Sequence, residues 1–249
     1  MAVIAGNWKM HLGPNETLDF FGGLSLEAVA SSHELLLFPP TVSLAVAAGA
    51  STRDPRIHLG VQNIHWEDKG AFTGEVSAAM AAQAGATFAL IGHSERRHVF
   101  GETDDEVALK VKAARRHRLV PVVCVGETLE ERRAGRVDEV ILRQLDAVLP
   151  HLGPNGDRFL VAYEPVWAIG TGETATPDDA STAHRTLRRR LEDACGVAAA
   201  ARVALLYGGS VKPGNAAELL AAADVDGVLV GGASLDPTAY SAIAAAGGG

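Results

Sequence analysis

Cysteine is nearly absent: Cys124 and Cys195 are the two among 249 residues. That scarcity excludes a disulfide framework and any Cys-x-x-Cys metal site. No apolar run approaches the roughly 18 residues of a membrane span. Met1-Ala2-Val3 does not open a secretory leader, so a cytoplasmic protein with no membrane partner is the expectation. Basic residues are outnumbered, 22 against 30 acidic, and the net charge is −8. A broad basic face for nucleic acid is therefore not expected, and any anion must be held at a local site. The nine histidines form neither His-x-His nor His-Glu-x-x-His, so no metal is expected. Against these absences, apolar residues make up 47% and charged residues 21%, which excludes a disordered chain and supplies one large core.

Eight short apolar runs recur along the chain: Val3–Ala5, Leu35–Phe38, Ile57–Val61, Phe88–Ile91, Val120–Val125, Phe159–Tyr163, Val203–Tyr207 and Val228–Val230. They are continuous rather than alternating, as in a parallel sheet buried on both faces. Pro121 removes a ladder donor, so the fifth strand is expected to start after it. Helical stretches lie between the runs. Thr103-Asp104-Asp105-Glu106 reads as a capping box, and Thr176-Pro177-Asp178-Asp179 and Asp236-Pro237 read as helix starts. Further starts are read at Pro14, Pro40-Thr41 and Lys212-Pro213. The longest helix is expected from about Leu129 to Leu149, ending at Pro150.

Eight units of about 31 residues match the size of a β-strand plus helix repeat. A closed (β/α)8 barrel and an open doubly wound sheet both fit. The doubly wound form calls for Gly-x-Gly-x-x-Gly after the first strand, where Gly6-Asn7-Trp8-Lys9 stands instead, which favours one barrel domain over 1–249. In a barrel, chemistry gathers just after the strands. Those positions hold Asn7 and Lys9, His93, Glu164, and the turns Gly208-Gly209-Ser210 and Gly231-Gly232. Each glycine turn precedes a helix, after the two strands that commonly seat phosphate. Glu164 ends an apolar strand before Pro165; exclusion of water there would raise its pKa and make it a base. The segment 165–172 reads as a mobile lid, led by Pro165 and Trp167 and hinged at Gly170-Thr171-Gly172.

Asn7-Trp8-Lys9-Met10, Gly74-Glu75, Ile91 to Arg97, Ala162 to Gly172, Tyr207 to Val211 and Val230 to Leu235 together resemble the triosephosphate isomerase family. The matching motifs span residues 6–235 in family order. The resemblance implies interconversion of dihydroxyacetone phosphate and D-glyceraldehyde 3-phosphate through an enediolate, with no cofactor. It implies Glu164 as general base and His93 as the neutral imidazole that polarises the carbonyl, with the turn after His93 disfavouring imidazolium. It implies Lys9 as the cation, Asn7 as a donor beside the reacting oxygens, and Gly170, Ser210, Gly231 and Gly232 as phosphate contacts. Ile169 and Leu229 would clamp the base, and Glu95 would support Lys9. The loop 63–75, with Trp66, Phe72 and Thr73, would form a homodimer contact, Thr73 supporting the neighbour's site. His11 and the stretch His65-Trp66-Glu67-Asp68 depart from the common pattern without touching the chemistry.

Three rivals are distinguishable. A Schiff-base aldolase needs a lysine at a strand centre, and among the lysines only Lys9 lies near a strand. A metal hydrolase needs clustered ligands. A non-catalytic sugar-phosphate binder would lack the base, histidine or lysine, and all three are present.

Overall fold

The computed structural model describes residues 1–152, 158–169 and 175–247. All eight apolar runs become strands: β1 (Val3–Asn7), β2 (Glu34–Phe38), β3 (Ile57–Val61), β4 (Phe88–Ile91), β5 (Val120–Val125), β6 (Leu160–Tyr163), β7 (Ala204–Tyr207) and β8 (Gly227–Val230). Each pairs in parallel with the next, and β1 pairs β8 with Ile4 opposite Val228, so the sheet closes on itself. The helices are α1 (Pro14–Gly23), α2 (Thr41–Ser51), α3 (Ala78–Gln83), α4 (Ser94–His98), α5 (Asp104–Arg116), α6 (Leu129–Arg133), α7 (Val137–Val148), α8 (Pro177–Cys195), α9 (Val197–Ala200), α10 (Ala216–Leu220) and α11 (Pro237–Ala246). Among the described residues, no helix is long and apolar enough to cross a membrane.

The strands are apolar throughout because each face meets a different core. Val3, Ala5, Leu36, Phe38, Leu90, Val122, Cys124, Leu160 and Leu206 pack with their neighbours inside the barrel. Ile4, Leu35, Leu37, Val123, Val161 and Leu205 pack outward against the helices. The side-chain period of two thus sorts one run into two layers. A fully buried leucine such as Leu37 contributes about 1.5–3 kcal/mol over an exposed one.

Capping follows the sequence. Thr103 accepts from the Glu106 amide while Glu106 accepts from the Thr103 amide, and Thr176 and Asp179 repeat the exchange. Three expectations need correction. The fifth strand begins at Val120, not after Pro121. The Val120 amide bonds Thr87, so the next residue's nitrogen points to the other side, where pairing with β6 begins only at Val122–Leu160. Pro121 therefore forfeits no ladder bond. The long helix from Leu129 is two, α6 and α7, broken at Gly135 with φ of 69°, a left-handed turn that glycine adopts without a Cβ clash. The chain also turns through 213–215 before α10 starts at Ala216. Gly208-Gly209-Ser210 is consequently not followed directly by a helix.

His184 ties three elements together. It sits on α8, fully buried, with Nδ1 2.8 Å from the Asp224 carbonyl and its ring edge-on to Tyr163 of β6. Burial pulls its pKa from 6.5 down to about 4. Between those values the unfolded chain binds a proton that the folded chain refuses, so stability is lost as pH falls from about 6.5 toward 4. The gap corresponds to roughly 3 kcal/mol. A His184→Asn variant should have a lower Tm than the parent at pH 8, and the difference should narrow as pH falls to about 4.5. A pH-independent difference in thermal melts would show that His184 does not contribute to acid sensitivity.

Candidate active site

The strand ends at one mouth of the barrel surround a cavity of about 270 Å³. Asn7, Lys9, His93, Glu164, Ile169, Ser210, Leu229, Gly231 and Gly232 all line it. These come from the ends of β1, β4, β6, β7 and β8, over 220 residues apart in the chain at the extremes. Only the closed sheet brings them together. Gly208 and Gly209, of the turn read as a phosphate seat, also line it, as do Val211, Lys212 and Ala233, for which no separate role is expected from the sequence.

Glu164 follows β6 directly, its amide bonded to the Val125 carbonyl at 2.8 Å. Its side chain is 2% exposed. Oε2 accepts from the Ser94 amide at 3.0 Å, and Oε1 accepts from the Ser94 hydroxyl at 3.2 Å. Oε1 also lies 3.0 Å from His93 Nε2. Gly208 must be glycine here, because a Cβ would stand 2.8 Å from Glu164 Cγ. Ser94 was not singled out as a partner of Glu164; its position at the first turn of α4 was the available signal.

His93 caps α4, and its Nδ1 accepts from the Glu95 amide at 3.3 Å. That contact requires the lone pair on Nδ1. A neutral ring with its hydrogen on Nε2 satisfies both the amide and Glu164. Asn7 Nδ2 lies 3.2 Å from the same Nε2. The electrostatics differ from the sequence expectation for both groups. Burial works to raise the Glu164 pKa, but His93, the Cys124 thiol and the Ser94 amide together hold it below the usual carboxylate value. Burial works to lower the His93 pKa, but adjacent Glu164 outweighs it and raises the value. The contact between the two contributes to both departures, and a reading of each residue alone does not contain it.

Lys9 has φ of 52°, a left-handed conformation that costs a non-glycine residue energy. Two bonds hold it there. Its amide donates to Asn7 Oδ1 at 3.0 Å, and its carbonyl accepts from Gln62 Nε2 at 2.8 Å. The ammonium reaches Glu95 Oε1 at 2.5 Å, the support expected of Glu95. Gln62, which also binds the Phe38 carbonyl at 2.8 Å, was missed; a polar residue just past β3 was its only trace.

The start of the expected lid is anchored by Glu127, which no motif in the sequence marks. Glu127 is fully buried, accepts from Trp167 Nε1 at 2.8 Å and Tyr163 Oη at 3.2 Å, and lies 3.5 Å from Arg132. Burial, the largest influence, raises its pKa. Gly170, Thr171 and Gly172 lie outside the described residues, so the expected Gly170 contact and hinge carry no structural description. Thr73 does not line the cavity. It lies on the exposed stretch 67–75, and Phe72 beside it is 43% exposed although its ring lies 4.1 Å from His65.

The triosephosphate isomerase family model matches residues 2–247. A triosephosphate isomerase of Symbiobacterium thermophilum is 50% identical over 246 residues, covering 98% of this chain and 96% of that protein. One of Alkalilimnicola ehrlichii is 47% identical over 244 residues, covering 98% and 97%. One of Moorella thermoacetica is 49% identical over 242 residues, covering 97% and 96%. A barrel whose mouth gathers a carboxylate, an imidazole and an ammonium, matched from end to end at this identity, leaves no room for the rival readings, and the chain belongs to the triosephosphate isomerase family.

Proposed function

We propose a division of labour at the barrel mouth for the isomerisation that family membership gives this chain, the interconversion of dihydroxyacetone phosphate and D-glyceraldehyde 3-phosphate. Glu164 removes a proton from the carbon beside the carbonyl and returns it to the neighbouring carbon. The electron pair left behind moves onto the carbonyl oxygen, giving an enediolate. His93 donates Nε2–H to that oxygen, and Asn7 and Lys9 supply a further donor and a positive charge. Preorganised groups of this kind are worth about 2.7–4 kcal/mol each when removed, and a placed base adds about 10²–10⁴-fold. The observation that carries the assignment is the 3.0 Å contact of Glu164 with His93 at the cavity wall.

Glu164 cannot serve as base while both its oxygens are held by Ser94. It turns from Ser94 toward the substrate, between the apolar surfaces of Ile169 and Leu229. Backbone amides at Gly170, Ser210, Gly231 and Gly232 hold the unreactive phosphate, and that grip drives closure of the 165–172 lid, so remote binding serves the chemistry. A closed lid keeps water from the enediolate.

The reading includes a homodimer through 63–75, with Thr73 supporting the neighbour's site. Its support is the exposed groove lined by Phe72, Thr73 and Phe100, the last 66% exposed; a second copy would cover these exposed aromatic rings. It also includes a cytoplasmic location, supported by two free cysteines, Cys124 and Cys195, as a reducing compartment favours.

Steady-state kinetics of Glu164→Ala should show kcat reduced by at least about 10²–10⁴-fold with KM changed only a few-fold. An unaltered kcat would remove Glu164 from the role of base. Sedimentation should find a dimer, and Phe72→Asp should shift it toward a monomer of reduced activity. A parent protein that is a fully active monomer would overturn the interface.

A further inference from the structure

Among the described residues, four titratable side chains line the cavity: Lys9, His93, Glu164 and Lys212. The positive charge of Lys9 is already engaged by Glu95 at 2.5 Å, and Glu164 is an anion. Lys212 differs. Among the described residues its ammonium has no hydrogen bond and no carboxylate within ion-pair distance, and the residue is exposed at the cavity edge. Among the described residues, no carboxylate offsets the charge of this lining cation.

Its backbone, by contrast, is fixed. The Lys212 amide donates to Asn215 Oδ1 at 2.8 Å, and its carbonyl accepts from the Asn215 and Ala216 amides at 3.1 Å each. Asn215 Nδ2 donates to the Ser210 carbonyl at 3.0 Å. Val211 before it is buried, and Pro213 follows. This closed turn holds the base of the lysine against the same Ser210 that was assigned to the phosphate, while the head stays in solvent. An ammonium on a flexible side chain rooted in a fixed turn beside an anion seat is placed to act before the substrate is seated.

The need for such a charge follows from the composition. The protein carries a net charge of −8, and a triose phosphate is a dianion near neutral pH. The overall field repels the substrate, so approach depends on local positive potential at the mouth. We propose that Lys212 is a substrate-capture residue, which steers the phosphate dianion to the turns at 208–211 and 231–233 and adds a cationic contact at their rim. This rests on the assignment of those turns as the phosphate seat. It concerns capture of the substrate; the proton transfer belongs to Glu164.

The test compares the parent with Lys212→Gln, Lys212→Glu and Lys212→Arg, using glyceraldehyde 3-phosphate as substrate and inorganic phosphate as competitive inhibitor. At about 0.01 M ionic strength, Lys212→Gln should lower kcat/KM about three- to tenfold while kcat falls less than about twofold. Lys212→Glu should lower kcat/KM further, and Lys212→Arg should retain the parent value. The Ki for phosphate should rise in the same order. Near 0.5 M salt the differences should largely disappear, because screening removes the long-range part. Three results would each overturn the proposal: an unchanged kcat/KM for Lys212→Gln at low salt, a loss that persists at high salt, or a loss shared by Lys212→Arg. A Gly231→Asp variant, which places a negative charge in the seat itself, separates the two levels. If it leaves phosphate inhibition intact, the seat is misassigned and the capture role falls with it. If it abolishes inhibition while Lys212→Gln behaves as the parent, the capture role alone fails.

Discussion

The contact between Glu164 and the Ser94–His93 corner is the constraint around which the mouth of the barrel is arranged. A buried carboxylate is costly unless it is paired and hydrogen-bonded. Here the partners come from β4 and its following turn, 70 residues away in the chain. Satisfying the charge therefore requires that β4, β5 and β6 close in register, since Glu164 hangs from Val125 of β5 and faces the end of β4. The geometry of the sheet and the comfort of one carboxylate are the same fact. The arrangement also holds the carboxylate in place: each bond to Ser94 would have to be exchanged for another before Glu164 could take the role of base proposed for it.

Most of the fold was readable because its signals are local and repeated. Continuous apolar runs named all eight strands, and the caps at Thr103 and Thr176 named helix starts to within a residue or so. Failures came where a three-dimensional partner decides. Pro121 looks disruptive in a string of letters, and it is harmless because β6 has not begun beside it. Leu129 to Leu149 looks like one amphipathic helix, and a left-handed Gly135 divides it. The delayed start of α10 belongs to the same class.

The candidate site was legible as a set of residue types and less so as electrostatics. Asn7, Lys9, His93, Glu164, Ser210, Leu229, Gly231 and Gly232 meet because each lies within three residues of the C-terminal end of a strand, and a closed barrel sends all such positions to one rim. The pKa directions of Glu164 and His93 were not legible, since each depends on the other's charge at 3.0 Å. Gln62, Ser94 and Glu127 were invisible for a related reason. They act on a backbone carbonyl, a carboxylate and an indole far away in sequence, and their own neighbourhoods do not name those partners.

The left-handed backbone at Lys9 sets two kinds of fitness against each other. That conformation costs a lysine roughly 1–2 kcal/mol that glycine would not incur. Drift toward glycine at this position would therefore relieve the backbone strain while deleting the ammonium to which the proposed mechanism assigns the enediolate. Selection for robustness alone would erode the cation, and only selection for turnover keeps it. Position 9 is thus a place where a sequence optimised for thermal endurance and one optimised for catalysis would diverge.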